Sequence, residues 1–240
     1  MITETWLSPQ DDVILGRITP EGYSAVHQGR ENRGGGGVAI VHKNAVSVDI
    51  KRKGITQTLE YIDTYVTHEN RSLGLIAVYR PGTNPKDGSS VPFSAFLDDF
   101  SDILEGLDIA SYDILVTGDF NIHLDDCDDR DVINFVDLLN CHNLVQHVKG
   151  STHDNGHTLD LVITRSPETV SKVTVTNDKL SDHFSIKCYL PLTKPIHERR
   201  EVTYRKLNRL DFEKLSNDLQ EQFDFIDPSC DLSTLVSTYN

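Results

Sequence analysis

The feature that most constrains the fold is a succession of short runs rich in Val, Ile and Tyr, each closed by Gly, Pro, Asn or Asp. Runs of this kind read as strands, because branched and aromatic side chains suit a pleated surface and the closing residues suit turns. Strands are predicted at Tyr23–His27, Val38–His42, Val46–Lys51, Leu59–Thr67, Ser72–Tyr79 and Ile114–Phe120, then at Leu144–Val148, Leu159–Thr164, Val170–Thr176 and Phe184–Leu190. Helical spacing interrupts them in FSAFLDDFSDILEGL, where Phe93, Phe96, Leu97, Phe100, Ile103, Leu104 and Leu107 recur, and in VINFVDLLN (Val132–Asn140). Many strands with few helices predict an α+β or layered α/β body, with helices covering the sheets.

The body is expected to close near Pro195. A basic stretch, Lys194–Arg209, follows, and LDFEKLSNDLQEQF then reads as an amphipathic helix opened by Asp211. At 240 residues the chain fits one large domain or two small ones. No apolar run approaches the roughly 20 residues needed to cross a bilayer. The first residues, MITETWLSPQDD, carry neither a basic nor an apolar signal region, so no membrane partner and an intracellular location, nuclear or cytoplasmic, are expected. The four cysteines are scattered without a CxxC pair, which argues against a zinc cluster and for a reducing compartment. A net charge of −14 excludes a protein that coats nucleic acid by charge alone. It is compatible with an enzyme that holds divalent cations, since such a site is itself rich in carboxylates.

Chemistry-bearing residues gather where the apolar runs end. In LVTGDFNIHLDD, Asp119 and Asn121 follow a strand and share a side of it by the two-residue period. The carboxylate can accept a proton, and the amide can donate to a phosphate without adding charge. An Asx-turn after a strand is the plainer reading of the same residues. In GHTLDLVIT, Asp160 interrupts an apolar run, and a buried carboxylate needs a partner, for which His183 in LSDHFSI is a candidate. A strand-edge Asp facing water is the alternative. TETWL carries Glu4, and VYRPG ends a strand at Tyr79. RGGGGV (Arg33–Val38) is a Gly-rich turn without the Lys-Ser/Thr ending of a phosphate-binding loop. The acidic run Asp125–Asp131 reads as a solvated loop, with cation binding as the alternative.

Taken in order, TETWL, RGGGGVAI, VYRPG, GDFNIHLD, GHTLDLVIT and SDHF resemble the endonuclease/exonuclease/phosphatase superfamily. They look most like the endonuclease domain of non-LTR retrotransposons. The resemblance covers residues 1–192 and implies a DNase I-like four-layer sandwich, two facing sheets flanked by helices. Residues 193–240 are similar to the segment that leads from such an endonuclease toward a reverse transcriptase. The family's first strand, which carries an Asn, would precede Glu4, so a domain lacking that strand is expected.

Carried across residue by residue, the resemblance implies Mg²⁺, or Mn²⁺, held by Glu4 with Asp182 as a second ligand. Asp119 would activate water, and Asn121 and Tyr79 would hold the phosphate, with Thr152 as a further phosphate contact. His183, oriented by Asp160, would stabilise charge on the phosphoryl oxygens. The implied function is a DNA endonuclease leaving a 3′-hydroxyl, with no small-molecule cofactor. The rivals are a phosphatase or phosphodiesterase acting on a lipid or inositol phosphate, and an inactive binding module of the same fold.

Overall fold

The computed structural model of the protein describes residues 1–30, 35–69, 71–82, 91–108, 112–165, 169–178, 180–190, 211–224 and 231. Two compact units divide the chain, Met1–Lys194 and Pro195–Asn240.

The first unit is built on a six-stranded sheet of β4 (Ser47–Ile55), β5 (Glu60–His68), β6 (Arg71–Tyr79), β7 (Asp113–Asp119), β9 (Asp160–Thr164) and β8 (Val145–Gln146), in that order. Neighbours are antiparallel except β6 and β7, which are parallel. Parallel strands need a crossover, and α2 (Phe93–Asp108) supplies it. A three-stranded sheet of β1 (Ile2–Thr3), β3 (Val38–Lys43) and β2 (Tyr23–Gln28) and a two-stranded sheet of β10 (Ser171–Thr176) and β11 (Ser185–Tyr189) complete the strands.

Alternation along the central strands sorts the core into two faces. Ile76, Val78, Ile114, Val116, Leu161 and Ile163 point to one face and pack against α2 and α3 (Arg130–Cys141). Phe96, Phe100, Phe120 and Phe135 fill this interface, each under 2% exposed, and phenylalanine truncation at such sites costs typically about 3–5 kcal/mol. The intervening residues point the other way. Ile62, Ala77 and Tyr79 meet Val38 and Ile40 of β3. Leu73, Leu115 and Val162 meet Val173, Val175, Ile186 and Cys188 of β10 and β11. The second layer is thus split, with a cavity of about 620 Å³ between β1 and β11 floored by Leu75, Leu115 and Val162. The expectation of two facing sheets holds for the six-stranded one; among the described residues its partner layer is two smaller sheets.

Helix α1 (Asp12–Ile18) was not predicted. Its apolar residues Val13, Ile14, Leu15 and Ile18 give no single face, and only Leu15 is buried. It is tied instead through polar contacts, Asp12 to His27 of β2 at 2.9 Å and the Asp11 carboxylate to the Ser8 N–H at 2.7 Å. Strand β8 is shorter than the predicted Leu144–Val148, because the Gln146 side chain turns back to take the Val148 N–H.

In the second unit, α4 (Phe212–Asp224) starts after Asp211, whose carboxylate accepts from the Lys214 N–H at 3.1 Å. This is the N-cap arrangement that the sequence predicted. The basic stretch Lys194–Arg209 lies outside the described residues. No helix among the described residues is long and apolar enough to cross a membrane.

Candidate active site

Strand register, which no motif spells out, assembles the site. Glu60 pairs with Tyr79, Tyr79 with Asp119 and Asp119 with Asp160, so residues from β5, β6, β7 and β9 form one row across the end of the sheet. By their parity along the strands all four belong to the face that meets the second layer. The segment after β1 brings Glu4 onto this row, and the segment before β11 brings His183.

At the middle of the row, Asp119 is 2% exposed. The next residue, Phe120, drops its ring into the aromatic core, and Asn121 then turns back with φ of 48°. Asn121 donates its backbone N–H to Asp119 at 3.0 Å and its amide to the same carboxylate at 2.9 Å. The second amide hydrogen goes to the Arg80 carbonyl at 2.7 Å. The Asx-turn and the functional placement are therefore the same structure. Asn121 comes beside Asp119 through a left-handed turn rather than through the strand period, and both its amide donors are used inside the protein rather than left for a phosphate.

Arg80 holds this turn, and sequence reasoning missed it. It is 5% exposed, donates to the carbonyls of Phe120 at 3.2 Å and Asn121 at 3.0 Å, and lies over the rings of Phe93 and Phe96. The available signal was an arginine set between a strand-ending tyrosine and a Pro-Gly turn. Also unanticipated is Glu60, fully buried against Arg30 and accepting from the Gly37 N–H at 2.5 Å.

His183 donates its Nδ1–H to the Asp160 carboxylate, 2.8 Å away, and its Nε2 lies 4.0 Å from Asp119. Tyr79 donates its hydroxyl to Glu4 at 2.6 Å, and burial with the Glu4 carboxylate raises its ionisation far above the ordinary range. Thr152 is placed differently from expectation. It is fully buried, and its hydroxyl accepts from the N–H groups of Leu159 and Asp160 at 2.9 and 3.0 Å. Its backbone carbonyl takes the Phe184 N–H at 2.8 Å, so Thr152 links the strand of Asp160 to the segment of His183 instead of facing a phosphate.

Among the described residues, neither of the two groups of three side chains that could hold an ion contains Glu4. Asp182 is exposed, 3.3 Å from His153, and the groupings among the described residues are His153/Asp182/His183 and Asp119/Asp160/His183. The Asp125 carboxylate of the acidic run is committed to His157 at 3.0 Å and the Thr158 N–H at 2.8 Å.

Burial raises the Asp119 carboxyl to about 7, with the Asp160 charge adding and the His183 charge opposing. The hydrogen bond to Asp160 raises His183 to about 9 against its partial burial. Both groups bind protons more tightly folded than unfolded, so each favours folding most below its unfolded pKa. The Asp119 contribution is lost as pH rises from 3.8 through about 7, that of His183 from 6.5 through about 9. In metal-free buffer the melting-temperature gap between the wild type and His183→Ala should therefore shrink between about pH 6.5 and about pH 9. A gap that stayed constant across that window would contradict the His183–Asp160 geometry.

A sandwich with this row of side chains at the end of its central sheet defines the DNase I-like fold class. The chain belongs to the endonuclease/exonuclease/phosphatase family, whose model matches residues 1–183. Among solved structures it is similar to the endonuclease domain of TRAS1, a telomere-specific non-LTR retrotransposon, at 15% identity and a TM-score of 0.57, covering 72% of this chain and 81% of that one. It is also similar to D. rerio TDP2 complexed with a single-strand DNA product (17%, TM-score 0.51, 78% and 82% covered). A third is the mannosyl-6-phosphatase of Bacteroides thetaiotaomicron (17%, TM-score 0.51, 78% and 83% covered). No curated protein sequence matches the chain.

Proposed function

We propose that the protein is a divalent-metal-dependent phosphodiesterase acting on DNA, an endonuclease of the retrotransposon type that leaves a 3′-hydroxyl. The observation that carries this reading is the pairing of Asp119, buried and with its carboxyl raised to about 7, with His183, held by Asp160 at 2.8 Å and raised to about 9. Near neutral pH this couples a carboxylate that can take a proton to an imidazolium that can face developing negative charge. The retrotransposon endonuclease and the DNA-bound TDP2 among the similar structures favour DNA over a sugar phosphate as the substrate.

The residues present fit a hard cation. The Glu4 carboxylate is held by the Tyr79 hydroxyl at 2.6 Å, at the end of the sheet row that carries Asp119 and Asp160, and carboxylate oxygens of this kind suit Mg²⁺ or Mn²⁺. Glu4 would hold the ion, which when bound supplies positive charge against the phosphoryl oxygens. Asp119 accepts the proton of the attacking water, and Asn121 fixes the orientation of the Asp119 carboxylate. His183, fixed through Nδ1 by Asp160, turns Nε2 toward the phosphoryl oxygens. Asp182, engaged with His153, braces the His183 segment in this reading rather than sharing the ion with Glu4.

The test is nicking of supercoiled plasmid by the purified chain. Relaxed circles should form with Mg²⁺ or Mn²⁺ and stop with EDTA, and the nicks should prime a DNA polymerase directly. Phosphate release from mannose 6-phosphate or an inositol phosphate, with plasmid left intact, would replace the DNA reading with the phosphatase one.

A further inference from the structure

We infer that the Trp6 indole is a stacking platform for an unpaired nucleobase beside the scissile phosphate. Resting on the DNA reading above, this narrows the substrate to DNA with a base out of its pair, at an end, a gap or a distorted step.

Trp6 is the single tryptophan of the chain and is 70% exposed, two residues beyond Glu4. Its display is built into the backbone. Glu4 and Trp6 have φ of 52° and 58°, a left-handed conformation that residues with a side chain rarely adopt. Such a conformation persists where surrounding contacts impose it, and here they do. The Trp6 N–H donates to the Gly36 carbonyl at 2.9 Å, and the Thr5 N–H donates to that of Gly37 at 3.3 Å. A Cβ at Gly37 would lie 2.3 Å from the Thr5 hydroxyl, so the approach of the two segments requires glycine there. One at Gly35 would come within 4.0 Å of the indole Cζ2, which sets the ring beside the Gly-rich turn. A twisted, pinned segment thus holds a large apolar ring in water next to a phosphoryl-transfer site, where the ring contributes little to the core.

Charge makes a stacking contact useful. At a net −14 the chain gains little from general attraction to phosphates, so contacts to bases add affinity that overall charge does not supply. An indole face serves any base, because every base has a π-face, and it requires that base to be unstacked. A sugar phosphate or inositol phosphate has no such face to offer.

The lone tryptophan is also its own reporter. The full chain is titrated, with Ca²⁺ as the divalent ion, against a single-stranded DNA oligonucleotide of about eight nucleotides, an abasic oligonucleotide of the same length, and inorganic phosphate. Emission should be quenched by the first and unchanged by the other two. By anisotropy of the labelled oligonucleotides, Trp6→Ala should weaken binding of the base-bearing strand about 5- to 150-fold, the range of one base–aromatic stack, and leave the abasic strand unaffected. Trp6→Phe should fall between. Equal quenching by both strands, or equal losses for both in Trp6→Ala, would overturn the inference. Plasmid nicking together with unchanged affinity in Trp6→Ala would sink the stacking inference alone. Base-dependent quenching without any DNA cleavage would sink the endonuclease reading and leave the base contact standing.

Discussion

Asp119→Ala and His183→Ala should each lower plasmid nicking by at least about 10²-fold, the lower scale for losing a positioned proton acceptor or a charge-stabilising donor. The two losses should be far from additive, because the side chains sit 4.0 Å apart and act on one phosphate. The double variant should therefore be little slower than the worse single one. Asp160→Ala should follow His183→Ala in direction with a smaller effect, since it leaves the imidazole present but unheld. Folding has to be checked alongside, because Asp119 also receives the Asn121 N–H at 3.0 Å. Asp119→Asn keeps the shape and a hydrogen-bonding group while losing the charge. If Asp119→Asn and His183→Ala, both folded, nicked at the wild-type rate, the proposed roles would be wrong.

The largest expected effect on stability belongs to Gly118→Ala. Gly118 lies within β7 at φ of 152°, and a Cβ there would stand 1.8 Å from the Val78 carbonyl oxygen and 2.7 Å from its carbon. Neither atom belongs to a flexible side chain, so the β6–β7 ladder would have to part beside Tyr79 and Asp119. Overpacking typically costs about 1–3 kcal/mol and a disfavoured backbone region about 1–3 more, together about 2–6 kcal/mol. A domain's whole stability is about 5–15 kcal/mol, so much of it should go. Gly16→Ala, which meets nothing within 4 Å and has no unusual φ, is the control and should melt close to the wild type. Urea unfolding of the three proteins provides the measurement. Coincident curves for Gly118→Ala and the wild type would show that the strands do not approach as described.

What was legible in the sequence and what was not divide along a physical line. Strand and helix periods are local, so the runs through Val38, Leu59, Ser72 and Ile114 and the helix from Phe93 were readable, with boundaries shifted by a residue or a few. The chemical types at strand ends were local too, which is why Asp119, Asn121, Asp160, His183, Tyr79 and Glu4 stood out. Helix α1 escaped because a single buried leucine and two polar ties hold it, and neither leaves a periodic trace.

Register, by contrast, depends on which residue of one strand faces which residue of another, and nothing within one strand encodes it. Only the folded sheet sets Glu60, Tyr79, Asp119 and Asp160 in one row, and only that row makes buried Glu60 and Arg30 part of the surroundings of the site. The donor capacity of a side chain is likewise settled by its neighbours. Asn121 and Thr152 are apt phosphate ligands by residue type, but the fold directs the Asn121 amide to Asp119 and Arg80 and the Thr152 hydroxyl to Leu159 and Asp160. Residue type and strand period were enough to say which chemical groups the sheet ends would carry. Which of them remain turned toward a substrate follows from the packed fold, because a buried polar group must find its partner inside the protein before it can serve anything outside.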